Sequence, residues 1–160
     1  MNAAVESATL EVERASGIPV IVQADPSLKL IARVNVARDS APAHVVVFNP
    51  KYGEATDYHI VFQCGFVLRI YQTPLEKRFD VTSTESGRVE AEQLVTEHVR
   101  RGTPNLPDHV QKQLAQQLYD GLILQLRSIP VGIRVDRWIR DTYPSLAEQQ
   151  RLTRRTASTS

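Results

Sequence analysis

A single cysteine, Cys64, is all the chain holds, so no disulfide can form within it. A lone cysteine inside an apolar run is read as a reduced, buried thiol of a cytoplasmic protein. Charge of one sign is also lacking. The formal net charge over 160 residues is +1, which removes any global electrostatic case for nucleic acid or anionic membranes as partners. The longest apolar runs, such as Ala43 to Phe48, fall far short of the roughly 20 residues that span a bilayer. Met1-Asn2-Ala3-Ala4-Val5-Glu6 has neither a basic region nor a long apolar region, so no secretory signal is expected. Gly53, Gly65, Gly87, Gly102, Gly121 and Gly132 stand isolated, and no Gly-rich phosphate or dinucleotide loop exists.

What remains is an ordinary globular composition, 42% hydrophobic and 23% charged, without internal repeats. That composition supports a full core. One domain is expected over residues 1–152, with a frayed tail over 153–160.

Hydrophobic spacing predicts the elements. Ala8, Val12 and Ala15 mark one face of a helix over 5–15, stopped by Gly17-Ile18-Pro19. Ile18 to Val22 is a short strand bounded by prolines. Leu28, Leu30, Ala32, Val34 and Val36 alternate with polar residues, predicting a strand over 28–37 with one wet face. Asp39-Ser40-Ala41-Pro42 is a turn, and His44 to Phe48 reads as a strand buried on both faces.

Residues 54–71 form the most apolar stretch. Ile60, Val61, Cys64, Val67, Leu68 and Tyr71 recur at helical spacing, predicting a buried helix, although the β-branched content also permits a strand. After a polar connection over 75–87, a helix is expected over 89–99, with Val89, Leu94, Val95 and Val99 near one face. Asp108 is read as the cap of another, running to about Arg127 and burying Val110, Leu114, Leu118, Leu122 and Leu126. Ser128-Ile129-Pro130-Val131-Gly132 is a loop. Residues 133–143 are a short helix turning Val135, Trp138 and Ile139 inward, and Ser145 starts one more turn through Leu146 and Leu152. Strands first and helices afterwards predict an α+β fold: a small mixed sheet of about three strands, a buried central helix and a helical C-terminal half.

Gly17-Ile18-Pro19-Val20, Phe48-Asn49-Pro50 and the central helix with Phe62-Gln63-Cys64-Gly65-Phe66 occur in that order. Over roughly residues 8–72 this layout resembles the core of the ImmA/IrrE-type zinc metallopeptidases, a minimal zincin group. In that family a Gly-Ile-Pro-Val-like strand follows the first helix, and a strand ending in Asn-Pro leads into the helix that carries His-Glu-x-x-His. The resemblance implies that Phe62 and Phe66 stand where the zinc-binding histidines would be and Gln63 where the glutamate would be. Phenyl rings cannot ligate zinc, and a glutamine cannot take a proton from water. The resemblance therefore implies a degenerate scaffold without a metal or cofactor. The alternative is that Phe62 and Phe66 are core aromatics of an unrelated helix.

Other chemistry is sparse. His59 and Cys64 diverge by about 140° around a helix and would not meet, and an apolar setting makes a thiol inert. His44, His59, His98 and His109 have no i, i+3 or i, i+4 pair for a metal. Glu11 with Glu13, and Glu90 with Glu92, diverge likewise. From residue 122 onward, Arg127, Arg134, Arg137, Arg140, Arg151, Arg154 and Arg155 face only Asp136, Asp141 and Glu148, a local excess of +4. Arginine beside Trp138 and Tyr143 suits contact with another macromolecule. The bland alternative is a solvated basic helix face.

The chain is thus expected to be a non-catalytic protein-binding or regulatory domain of a bacterial-type intracellular complex. Arg127, Arg134, Arg137, Trp138 and Arg140 are its candidate partner surface. No catalytic residue is assigned. A hydrolase with an unrecognised site, and a nucleic-acid-associated regulator using the arginines, stand as alternatives. Homo-oligomer formation is left open.

Overall fold

Asn2 closes the start of the first helix, its Oδ1 accepting from the Ala4 N–H at 3.1 Å and so satisfying a donor that has no partner inside the helix. In the computed structural model, which describes residues 2–38, 41–77, 84–102 and 106–151, this helix, α1, runs Ala3–Ser16. It ends at Gly17 with φ 70°, a left-handed conformation that glycine adopts without steric cost. The expected tail over 153–160, with Leu152, lies outside the described residues.

Three strands follow: β1 (Val20–Ala24), β2 (Ala32–Asn35) and β3 (His44–Phe48). Their order is β1-β3-β2, with β3 central, parallel to β1 and antiparallel to β2. The fold is α+β with a three-stranded mixed sheet. Register aligns Val22, Val46 and Val34 in one row on the core side. On the opposite face Ile21 is exposed while Val47 is buried, so β3 alone carries apolar side chains inward on both sides.

The strand expected over 28–37 is shorter than its alternation suggests, and Leu30 is exposed. The cause is Asn49, fully buried at the end of β3. Its Nδ2 donates to the Leu28 and Pro26 carbonyls at 2.6 and 3.3 Å, and its Oδ1 accepts from the Lys51 N–H at 3.0 Å. Carbonyls held by that side chain are not available to a strand ladder.

The central helix α2 (Ala55–Gln72) turns Ile60, Val61, Cys64, Val67 and Leu68 into the core. The remaining helices are α3 (Glu85–Gly102) and α4 (Asp108–Thr142). The loop expected over 128–132 is instead part of α4, with Pro130 inside the helix. Leucine, glutamine and arginine on either side favour helix, and Ser128 Oγ donates back to the Leu124 carbonyl at 2.7 Å, an i−4 bond that often accompanies a bend. Asp108 is the first residue of α4 rather than a residue before it.

The chain divides into two compact units, Met1–Arg78 with Val131–Ser160, and Phe79–Pro130. In the first, Ala4, Val5, Ala8 and Val12 of α1 join the buried face of α2, and Val135, Ile139, Tyr143 and Leu146 complete the cluster. In the second, Arg88 pairs with Asp120 at 3.4 Å and Arg100 with Asp108 at 3.7 Å, which fixes α3 and the first half of α4 antiparallel. Here burial departs from expectation. Leu118, Leu122 and Leu126 are exposed, while Gln111, Ala115 and Tyr119, shifted by one position, are buried. On α3, Val99 is buried but Val89 and Leu94 are exposed.

Candidate functional site

Within the first unit, α2 and the end of α4 pack at Gly65. A Cβ built on Gly65 would stand 2.6 Å from Val135 Cγ1 and 2.8 Å from Trp138 Cζ3, so only glycine admits the crossing helix at this distance. Val135 and Ile139 are fully buried. Trp138 is half-buried, its ring edge-on to Tyr143 at 5.3 Å.

Asp136 faces the start of α2, where it accepts from the Tyr58 hydroxyl at 2.5 Å. The Tyr58 N–H donates to Gln149 Oε1 at 3.1 Å, and Gln150 Nε2 donates to the Asp136 carbonyl at 3.3 Å. The carboxylate of Asp136 is thereby engaged by the fold. His59 lies beside it with its pKa held below 6.5, mainly by burial and partly offset by Asp136.

The residues flanking Asp136 on the other side of the helix are Arg134 and Arg137. With Arg69, Trp138, Asp141 and Thr142 they line an open groove of about 290 Å³. Arg69 Nε is buried without a hydrogen-bond partner, while its Nη1 reaches Gln72 Oε1 at 3.4 Å. The one carboxylate of the groove, Asp141, lies 3.2 Å from Arg140 Nε. Among the described residues no carboxylate pairs with Arg69, Arg134 or Arg137. Three guanidinium groups with one engaged carboxylate give the groove a net positive field that its own fold does not discharge.

Of the surface expected from sequence, Arg134, Arg137 and Trp138 therefore come together. Arg140 sits beside the groove and turns to Asp141. Arg127 belongs to the Phe79–Pro130 unit and does not line it. Arg69 escaped the sequence reading. Its signal was available: it is the only lysine or arginine in α2, and a cation in an apolar helix asks for an anion.

Phe62 and Phe66 occupy a half-buried stripe of α2. Phe62 packs against the core beside Gly132, where an added Cβ would lie 3.6 Å from Phe62 Cζ. Gln63 Nε2 donates to the Ala32 carbonyl at 3.5 Å, binding α2 to the edge strand β2. Among the described residues no three His, Cys, Asp or Glu side chains gather as a metal site. Cys64 is fully buried and its thiol is pushed up to about 12 by desolvation, so it is not a nucleophile near neutral pH.

The chain matches no protein-family model, no curated protein and no solved structure.

Proposed function

We propose that this chain is a non-catalytic binding domain that seats a carboxylate-bearing segment of another protein in the Arg69–Arg134–Arg137 groove. The observation that carries the proposal is that three arginines line one groove whose single carboxylate, Asp141, is turned to Arg140. A guanidinium fork matches a carboxylate in bidentate fashion, and an arginine is more easily desolvated at an interface than a lysine. Trp138 supplies an apolar wall of the kind that anchors protein interfaces. The scaffold half of the proposal, a metallopeptidase-like core without its catalytic motif, rests on element order. Gly17-Ile18-Pro19 leads into β1, Asn49-Pro50 ends β3, and α2 follows with Phe62, Gln63 and Phe66 at the motif positions.

Trp138 is the only tryptophan in the chain, and it lines the groove, so its emission reports occupancy directly. A capped hexaglutamate peptide titrated at low salt is expected to shift that emission, with affinity falling as salt rises. Exposed ion pairs are worth about 0.2–1 kcal/mol each and reversal adds repulsion, so Arg134→Glu with Arg137→Glu is expected to weaken binding roughly tenfold or more while leaving the melting temperature nearly unchanged. Binding that survives the double reversal would overturn the assignment, as would the absence of any emission change at millimolar peptide. A DNA duplex that binds far more tightly than the peptide, with a steep salt slope, would move the site to the nucleic-acid reading.

A further inference from the structure

Among the described residues of the Phe79–Pro130 unit, most large apolar side chains are exposed, and the buried apolar ones are Val99, Ala115 and Tyr119. Against them, Leu118, Leu122, Leu126 and Ile129 of α4 are 51%, 54%, 51% and 52% exposed, and Val89 and Leu94 of α3 are exposed as well. The four α4 residues are spaced by four, four and three. At about 100° per residue they fall within an arc of about 80° on one side of the helix. An exposed helix face of this kind normally carries charge. This one carries none, since the only charged residues between Gln113 and Ile129 are Asp120 and Arg127, and both project from the opposite side of the helix.

The reach of α3 leaves the far end of the stripe, Leu126 and Ile129, without a neighbour from that helix. The Arg100–Asp108 and Arg88–Asp120 pairs align the two helices, and α3 begins at Glu85. The register therefore takes α3 no further than the level of about residue 123 of α4, given that both helices rise by about 1.5 Å per residue. Leu126 and Ile129 lie beyond that level, on the side of α4 that buries Gln111 and Ala115 in its first turns. Two described helices that expose more large apolar residues than they bury are an incomplete core.

We infer that two copies of the chain associate through this stripe, α4 against α4, so that their two α3–α4 hairpins form an antiparallel four-helix arrangement. Three features select a second copy as the occupant. The stripe has no charge, so it offers nothing to an acidic or basic partner, and a copy of itself meets no like-charge repulsion. From Leu118 to Ile129 it runs about 18 Å, and a helix pair along it with flanking side chains buries on the order of 600 Å² from each copy, the lower bound of interfaces that hold in solution. An antiparallel two-fold near residue 124 sets Leu122 of one copy beside Leu126 of the other.

Sedimentation equilibrium of the full chain between about 1 and 100 μM tests the inference over the range expected of a small interface. The expected result is a monomer–dimer equilibrium. Leu122→Glu with Leu126→Glu is expected to raise its dissociation constant on the order of a hundredfold or more, because two charges per copy are forced into the contact. Leu124→Glu is the control: Leu124 is 66% exposed but lies off the stripe, and its variant is expected to dimerise like the parent. A wild-type chain that stays monomeric at the highest concentration overturns the inference whatever the variants do. So does a dimer indifferent to the double substitution, or one broken equally by Leu124→Glu.

Discussion

Replacing Gly65 by alanine sets two well-known effects against each other, and the structure decides between them. In a helix interior alanine is favoured over glycine by about 0.8–1 kcal/mol. At Gly65 the added methyl would stand 2.6 Å from Val135 Cγ1 and 2.8 and 2.9 Å from two carbons of the Trp138 ring. Carbon atoms pack at about 3.5–4.0 Å, so α4 must retreat from α2 by close to 1 Å or Trp138 must leave its rotamer. Val135 is fully buried and cannot swing away. Overpacking of this kind costs about 1–3 kcal/mol, so the helix gain is cancelled and a net loss of up to roughly 2 kcal/mol is expected.

Gly132 provides the matched control in the same unit. An added Cβ there meets only Phe62 Cζ, at an ordinary 3.6 Å, and Gly132→Ala is expected to stabilise by about 0.4–1 kcal/mol. Urea unfolding followed by the emission of Trp138, with the m-value checked for constancy, measures both. A double-mutant cycle of Gly65→Ala with Val135→Ala is expected to show coupling, since the smaller residue removes the 2.6 Å contact but not those to Trp138. If Gly65→Ala gains what Gly132→Ala gains, the two helices do not cross at Gly65 and the groove beside Trp138 is not formed as described.

Two further outcomes follow from buried groups. Cys64 is expected to react with a thiol reagent only as fast as the protein opens, and rapidly in denaturant; fast labelling of the native chain would place the thiol at the surface and contradict both its burial and its raised pKa. His44 is fully buried, its Nδ1 accepting from the Ala37 N–H at 2.9 Å, and burial holds its pKa below 6.5. The folded state therefore refuses a proton that the unfolded chain accepts. Stability is expected to be level above pH 6.5 and to fall below it by up to about 1.4 kcal/mol per pH unit for this histidine, with His59, lowered for the same reason, adding to the slope. Chemical denaturation at pH 7, 6 and 5 checks this, and a stability unchanged across that range would refute it.

Much of the fold was legible because local and tertiary signals agreed. The helix around Cys64 is apolar on nearly every side, and the structure surrounds it with α1, the sheet and the end of α4, so the repeat and the burial coincide. The face of α4 was not legible. Leu114, Leu118, Leu122 and Leu126 outweigh Ala115 and Tyr119 in any hydrophobic count, yet the structure buries Ala115 and Tyr119 and leaves Leu118, Leu122 and Leu126 exposed. Hydrophobicity reports what should be buried; it does not report on which side of the helix a neighbour lies. The strand ending at Asn35 was overdrawn for a different reason. A side chain far along the chain, Asn49, claims the carbonyls on which a longer ladder would depend. The arginine groove was half visible, since Arg134, Arg137 and Trp138 are neighbours in sequence, whereas Arg69 reaches the same place only through the crossing at Gly65.

Asn49 carries one more consequence, for how the chain ages. Asparagines most often convert to aspartate through a cyclic imide, formed when the backbone nitrogen of the next residue attacks the side-chain carbonyl and loses its hydrogen. The next residue here is Pro50, whose nitrogen has no hydrogen to lose. The amide is also immobilised by its bonds to the Pro26, Leu28 and Lys51 backbone. Conversion would set a carboxylate against two carbonyl oxygens in a dry site, with no donor left to face them. The residue that the fold can least afford to see hydrolysed is thus followed by the one residue that blocks the usual route.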